Sequence, residues 1–274
     1  MKRFNLLQLI TLILLLSCGK TDTKNIKTET PKTHSENPKI RQTIAVTDSF
    51  FQITNISGAM IDFKKGPLAV IAEGDSSTLS HLSYEFDSGI LTISSPIDKS
   101  NDIKTYPTQT DAVVHVSCPS LKAVAICSGG GFRNNGVLKT ESIQFGGMVG
   151  GSINVDSIVC DLFRYDNSGS TTSNFNNINC KECIVCSTGN GTISMNINSS
   201  VTAYFDISGS TTIKSTICSP EIKSIVDNNA TVSYDIETKM LYFRALQGTI
   251  SLNGHAEEKQ ITTSNQVTIH NSLK

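Results

Sequence analysis

Residues 161–180 read DLFRYDNSGSTTSNFNNINC, and the next three blocks of twenty read KECIVCSTGNGTISMNINSS, VTAYFDISGSTTIKSTICSP and EIKSIVDNNATVSYDIETKM. Set beneath one another, they align without a gap. Gly169, Gly189, Gly209 and Asn229 fall in one column, preceded by Ser168, Thr188, Ser208 and Asn228. Three places further on stand Thr172, Thr192, Thr212 and Val232. Four places before the glycine column stand Tyr165, Val185, Phe205 and Ile225, all apolar or aromatic. A fixed period of this length is the signature of a chain that winds, each winding stacking on the last.

The physical reading is an all-β parallel β-helix, or β-solenoid, with coils of about 20 residues, stacked at the strand spacing of roughly 4.8 Å. The apolar column then becomes an interior ladder. The glycine column marks a corner where the backbone needs positive φ, and the Ser/Thr columns can hydrogen-bond up and down the stack. Working outward, the small-residue turn recurs at Ser128-Gly129-Gly130-Gly131, at Gly146-Gly147 and at Gln247-Gly248. A β-sandwich or barrel, which also shows short strands at regular spacing, is the other reading of the same signal. From about Ile44 to Thr110 the period fades. Phe50–Ile53, Met60–Phe63, Leu68–Ala72, Leu82–Phe86 and Ile90–Ile93 read as strands there, with turns between them, one of them at Glu73 to Ser77. This segment is expected to begin the stack and close its end, because an open parallel edge invites polymerisation.

Composition agrees. The 274 residues are 17% charged and carry no Trp, and their net charge of −1 offers no electrostatic footprint for nucleic acid. With 38% hydrophobic residues the chain can fold, but the Ser, Thr and Asn content suits strands and turns better than long amphipathic helices. Composition therefore argues against an α/β enzyme.

The N-terminus reads as an address. Lys2 and Arg3 precede an apolar run from Leu6 to Leu16, too short to remain as a spanning helix. The run ends in Leu15-Leu16-Ser17-Cys18-Gly19, which resembles the lipobox of bacterial lipoproteins. That resemblance implies cleavage after residue 17 and lipidation (palmitate included) of Cys18. Gly19 in place of Asp implies sorting to the outer membrane. Acyl chains in that number anchor a protein stably. Residues 18–43 read as a lipidated cysteine and a disordered polar tether, too poor in apolar residues to offset ordering entropy. Residues 44–274 then form one solenoid domain with N-terminal capping strands.

Ile56-Ser57-Gly58-Ala59-Met60, Glu73-Gly74-Asp75 and Gly89-Ile90-Leu91-Thr92-Ile93 resemble the opening of the putative auto-transporter adhesin head GIN domain family, whose members include bacterial envelope lipoproteins. Ser168-Gly169-Ser170 and Ser208-Gly209-Ser210 are similar to that family's recurring turns. The resemblance runs roughly from Ile44 to Asn271. It implies a right-handed β-helical fold at a bacterial envelope and no established catalysis. The chain departs from the pattern at Gly129-Gly130-Gly131-Phe132 and at Met148-Val149.

Candidate chemistry is sparse. Of eight cysteines, seven remain once Cys18 is set aside, so at least one has no partner within the chain. Cys180-x-x-Cys183-x-x-Cys186 has metal-ligand spacing, but residues three apart on a strand face opposite sides. Cys160 and Cys180 share a repeat column, which fits buried packing or an inter-coil disulfide. Asp166 and Asp206 share a column two coils apart, with Arg164 on the same face and Cys186 between them. That is too open for a compact carboxylate pair. His34, His81, His115, His255 and His270 are scattered, and the Asn-x-Ser/Thr triplets at Asn55, Asn190, Asn198 and Asn229 carry little meaning in a bacterial lipoprotein. No metal or cofactor is expected. Two functions follow. One is a non-catalytic, lipid-anchored outer-membrane protein, adhesin-like, whose long solenoid face binds a protein or glycan. The other is a carbohydrate-active β-helix, a polysaccharide lyase or hydrolase, with Asp166, Asp206 and Arg164 as its only candidate residues.

Overall fold

A computed structural model describes residues 38–95 and 108–274. Cys18, the apolar run and most of the tether lie outside the described residues. Asn37–Lys274 is one compact unit, built almost wholly of strands that stack in parallel as a β-solenoid of about eight turns.

The regular part runs through β10 (Ser142–Gly147), β11 (Ser152–Val159), β12 (Leu162–Asn167), β13 (Thr172–Ser187), β14 (Thr192–Ile207), β15 (Thr212–Val226), β16 (Thr231–Ala245), β17 (Gly248–Thr263) and β18 (Val267–Leu273). Each long strand bends at a corner, so its two halves belong to two different sheets. The first sheet stacks β10, β12 and the second halves of β13 to β17. The second stacks β11, the first halves of β13 to β17, and β18. Alternate residues point inward, which is why residues two apart share a face.

The expected interior ladder holds for three of its four members. Tyr165 pairs with Val185 and Val185 with Phe205, and all three are fully buried. Ile225 is not the fourth. The register shifts between Asn198 and Thr202, so Phe205 pairs with Ser224 and Ile225 turns outward. A one-residue slip on a period-2 strand moves every side chain to the other face. The same shortening replaces Val232 by Thr231 in the threonine column, which extends as Thr172, Thr192, Thr212, Thr231, Thr249 and Thr268.

The corner glycines are needed mainly for a different reason than expected. Gly209 and Asn229 do have positive φ, 73° and 66°. Gly169 and Gly189 do not. They are required by close stacking: a Cβ on Gly189 would sit 2.1 Å from the Gly169 carbonyl oxygen of the winding below. Beneath these turns runs a buried polar spine. Asn167 Nδ2 donates to Ser187 Oγ (3.1 Å), Ser187 and Thr211 share a hydroxyl bond (2.8 Å), and Thr211 Oγ1 donates to the Gly189 carbonyl (2.9 Å). Ladder bonding of this kind satisfies groups that burial would otherwise penalise.

Between the sheets, bulk on one side meets small residues on the other. Tyr165 bonds Ser173 across the core at 2.7 Å, and Tyr234 reaches Ser224 at 3.4 Å. Phe175 of the second sheet packs on Phe145, Phe163 and Tyr165 of the first, with ring centroids 5.2, 5.2 and 5.3 Å apart.

The N-terminal segment closes the stack, and its order in space is not its order in sequence. It comprises β1 (Ile40–Ile44), β2 (Gln52–Ile56), β3 (Met60–Lys65), β4 (Ala69–Gly74), a short helix α1 (Ser76–Ser80), β5 (Ser83–Asp87), β6 (Ile90–Ser94), β7 (Val113–Cys118), β8 (Ala123–Ile126) and β9 (Gly131–Lys139). Strand β2 lies between β6 and β8, and β3 between β7 and β9. The winding made by β6 and β7 thus sits outside the earlier one. Beyond it the pairing turns antiparallel: β4 on β7, β1 on β4, and β5 on β6. Strand β1 begins at Ile40. One expectation is corrected here. The turn at 73–77 runs into α1, which Asp75 caps by accepting the Thr78 N–H at 2.9 Å.

Candidate functional site

The outward columns of the first sheet carry chemistry that those of the second sheet lack. Its central column runs Arg164, Ile184, Tyr204, Lys223, Tyr242 and Gln260, each residue paired with the next. Beside it, two residues towards the turn, run Asp166, Cys186, Asp206, Ile225, Arg244 and Thr262. Leu162, Ile184, Tyr204, Ile225, Met240 and Tyr242 are half-buried on this face, although no layer covers it among the described residues. On the second sheet the corresponding outward columns are the threonine ladder and a row of Asn174, Ser194, Lys214, Ser233 and Ser251.

The three candidate catalytic residues do share this face, as their column positions predict. Asp166 is fully engaged, however. Arg164 donates to it twice, from Nε and Nη2 at 2.6 Å each, and Gln144 Nε2 donates at 2.8 Å. A bidentate guanidinium–carboxylate pair of this geometry is among the stronger and more directional polar contacts. The same bond raises the Arg164 pKa further above its ordinary value. Asp206 lies two rungs away, with Cys186 in the rung between. Burial, reinforced by Asp166, raises the Cys186 thiol, and burial, with the Asp206 charge adding to it, raises Tyr204. This arrangement offers a lattice of hydrogen-bonding and ring surfaces. It holds no paired acid and base.

The three thiols of Cys180-x-x-Cys183-x-x-Cys186 do not all converge: Cys180 and Cys183 bond each other with Cys160 near them, and Cys186 stands apart. Cys160, Cys180 and Cys183 point into the core, while Cys186 lies outward, and all described cysteines are free. Hydrogen bonding with Cys180, together with burial, pushes the Cys183 thiol well up. No set of three His, Cys, Asp or Glu suited to a metal ion occurs among the described residues.

Two features were missed in the sequence. The first is the Tyr204–Lys223–Tyr242 column. Its members are spaced by nineteen, not twenty, and so fall out of a strict twenty-residue alignment. Lys223 Nζ lies 5.7 Å from the Tyr242 ring centroid. Between these residues and Arg244, Ile225, Gln260 and Thr262 is an open groove of about 300 Å³. The second is a charged cluster on the cap. His115 lies 3.5 Å from both Asp62 and Glu73, with Arg133 on Asp62 (2.8 Å) and Arg41 on Glu73 (2.7 Å). Its members come from β1, β3, β4, β7 and β9, so no local motif could reveal it. Each carboxylate is already matched by an arginine, which makes the cluster a clasp between strands.

Residues 49–174 match the family described as "Putative auto-transporter adhesin, head GIN domain". The match covers the capping segment and the first coils and stops short of the long resemblance to Asn271 read from the turns. Three solved structures share the fold. A putative adhesin from Parabacteroides distasonis is 14% identical, with a TM-score of 0.65, over 86% of this chain and 98% of that one. A putative lipid binding protein from the same species is 16% identical, with a TM-score of 0.61, over 86% and 98%. A putative adhesin from Bacteroides fragilis is 16% identical, with a TM-score of 0.55, over 86% and 97%. At such identity the likeness is one of fold. A search of curated proteins gave no match.

Proposed function

We propose that this chain is a non-catalytic binding protein of the bacterial envelope, adhesin-like in the sense of the family matched by residues 49–174, and held at the outer membrane by lipid on Cys18. The polar residues between Cys18 and β1 act as the tether, and the solenoid presents its first sheet to a partner, protein or glycan. The observation that carries this reading is the outward column from Arg164 to Gln260. It is a straight row of aliphatic, aromatic, basic and amide side chains, half of them (Ile184, Tyr204 and Tyr242) apolar enough to gain by being covered. The bonds that Asp166 accepts from Arg164 and Gln144 weigh against its use as an acid in the polysaccharide-cleaving alternative.

The test has two arms, both on the full chain expressed in a Gram-negative host. Radiolabelled palmitate is expected to enter the wild-type protein and not Cys18→Ala, and label persisting in that variant would remove the anchor. Cells carrying the wild-type chain are expected to adhere to mucin-coated or matrix-protein-coated surfaces better than cells lacking it. Depolymerisation of an acidic glycan that Asp166→Ala abolished would replace binding by catalysis.

A further inference from the structure

We infer that Cys160 and Cys180 are placed to close into a disulfide that staples two successive coils together. The inference rests on the envelope reading for its oxidising surroundings, where such bonds form and persist.

The first argument is position. The chain turns from the second sheet to the first at a corner whose column runs Thr140, Cys160, Cys180, Ser199, Ser219 and Thr238. Val159 pairs with Asn179 just before the two cysteines, and Leu162 with Glu182 just after them. The Cys160 N–H donates to the Asn179 carbonyl at 3.0 Å, and the Lys181 N–H to the Asp161 carbonyl at 3.0 Å. The two cysteines are therefore held on adjacent rungs, roughly 4.8 Å apart at the strand spacing. That lies within the Cα separation of about 4.4–6.8 Å that a disulfide requires.

The second argument is the chemistry of the column. At its other rungs a hydroxyl ties the corner down. Thr140 donates to the Ser142 carbonyl (3.2 Å), Ser199 to that of Thr202 (2.9 Å), Ser219 to that of Glu221 (2.9 Å) and Thr238 to that of Met240 (3.1 Å). A thiol is a weak donor and serves this purpose poorly. The two rungs that give up the hydroxyl are neighbours, and neighbouring thiols can do what hydroxyls cannot, which is to join.

The third argument is access and order of reaction. Cys160 and Cys180 keep 7% and 8% exposure against 0% for Cys183, so an oxidant meets the pair first. The hydrogen bond from Cys183 lowers the Cys180 thiol, whereas burial pushes the Cys160 thiol up to about 12. The thiolate is the nucleophile, so Cys180 reacts first. Its sulfur attacks one sulfur of an oxidising disulfide and expels a thiolate, which takes the Cys180 proton. Cys160 then attacks Cys180 Sγ, and the second thiol leaves with the Cys160 proton. One S–S bond forms in the protein and one breaks in the oxidant, which is reduced to two thiols.

The experiment exposes the full chain, purified reduced in detergent micelles, to glutathione disulfide. Remaining thiols are blocked with iodoacetamide in denaturant and linked peptides are mapped by mass spectrometry. A Cys160–Cys180 link is expected, with Cys183 alkylated. Cys160→Ser and Cys180→Ser are each expected to abolish the link and still fold, since serine fills the same column at Ser199 and Ser219. A closed loop restricts the unfolded chain. Reductant is therefore expected to lower the unfolding midpoint of the oxidised wild type and leave that of the double serine variant unmoved. No link, a link through Cys183, a glutathione adduct left standing on Cys180, or a link whose reduction leaves the midpoint unmoved overturns the proposal. The same mapping on protein drawn directly from cell envelopes separates the two readings. A link absent from both samples, while palmitate still labels the chain, overturns the disulfide alone. A link made by glutathione disulfide but missing from the cells upholds the pairing and counts against the envelope reading.

Discussion

The two sheets are built by the same coils, yet they turn different surfaces outward. The second sheet shows Thr172, Thr192, Thr212, Thr231 and Thr249, all exposed, next to a row of Asn, Ser and Lys. The first shows Ile184, Tyr204, Ile225 and Tyr242, half-buried, interleaved with Arg164, Lys223 and Arg244. Both sheets turn mainly apolar residues inward, so the core alone does not account for the difference. A hydroxyl ladder is well solvated and keeps β propensity. Rings and isoleucines facing water gain nothing until something covers them. Under the proposed binding role, the contrast assigns solvation to one face and recognition to the other.

That comparison presumes a core common to both sheets, and the largest effect tests it. Phe175 projects from the second sheet into the rings of the first. Phe175→Ala is expected to cost about 3–5 kcal/mol, as for a buried ring truncated to a cavity. Hydrogen exchange should quicken on both sheets. Loss of protection on the second sheet alone would mean the faces rest on separate cores.

Next in size is the turn that carries the chain from the first sheet to the second. Gly189→Ala would drive a Cβ against the Gly169 carbonyl at 2.1 Å, and also against its nitrogen and carbonyl carbon, all of them backbone atoms. Overpacking of this kind costs typically 1–3 kcal/mol, read as a lower unfolding midpoint. An unchanged midpoint would show that the windings can separate locally, and the straight outward columns would then be softer than described.

How much of this was legible in the sequence depends on where the period held. On the first sheet, partners from Tyr165 to Phe205 stay twenty apart, so the interior ladder and the shared column of Asp166 and Asp206 could be read directly, whereas the second sheet already shifts between Phe175 and Ile178. One residue lost at the corner between Asn198 and Thr202 hid the rest. It sent Ile225 outward, brought Ser224 inward beside Tyr234, and put Tyr204, Lys223 and Tyr242 in line. The N-terminal order was beyond reach for another reason. Strand β2 is held by β6 and β8, partners on either side that no repeat spacing announces. Arg164 and Asp166 were correctly placed on one face, but their mutual neutralisation depends on side-chain geometry that column logic does not contain.

The smallest effect is the most discriminating. If the rings of the first sheet serve recognition, removing one should barely disturb folding. Tyr242→Ala and Thr212→Ala are each expected to change stability by under about 1 kcal/mol, the range of cross-strand pairs on an open sheet face. Chemical denaturation of the two variants side by side would measure it. A much larger cost for Tyr242 would make it a packing residue that happens to be visible, and the contrast between the faces would lose its functional meaning. A small cost for both, with only Tyr242→Ala lowering adherence, would separate what the coil needs in order to stand from what it presents to a partner.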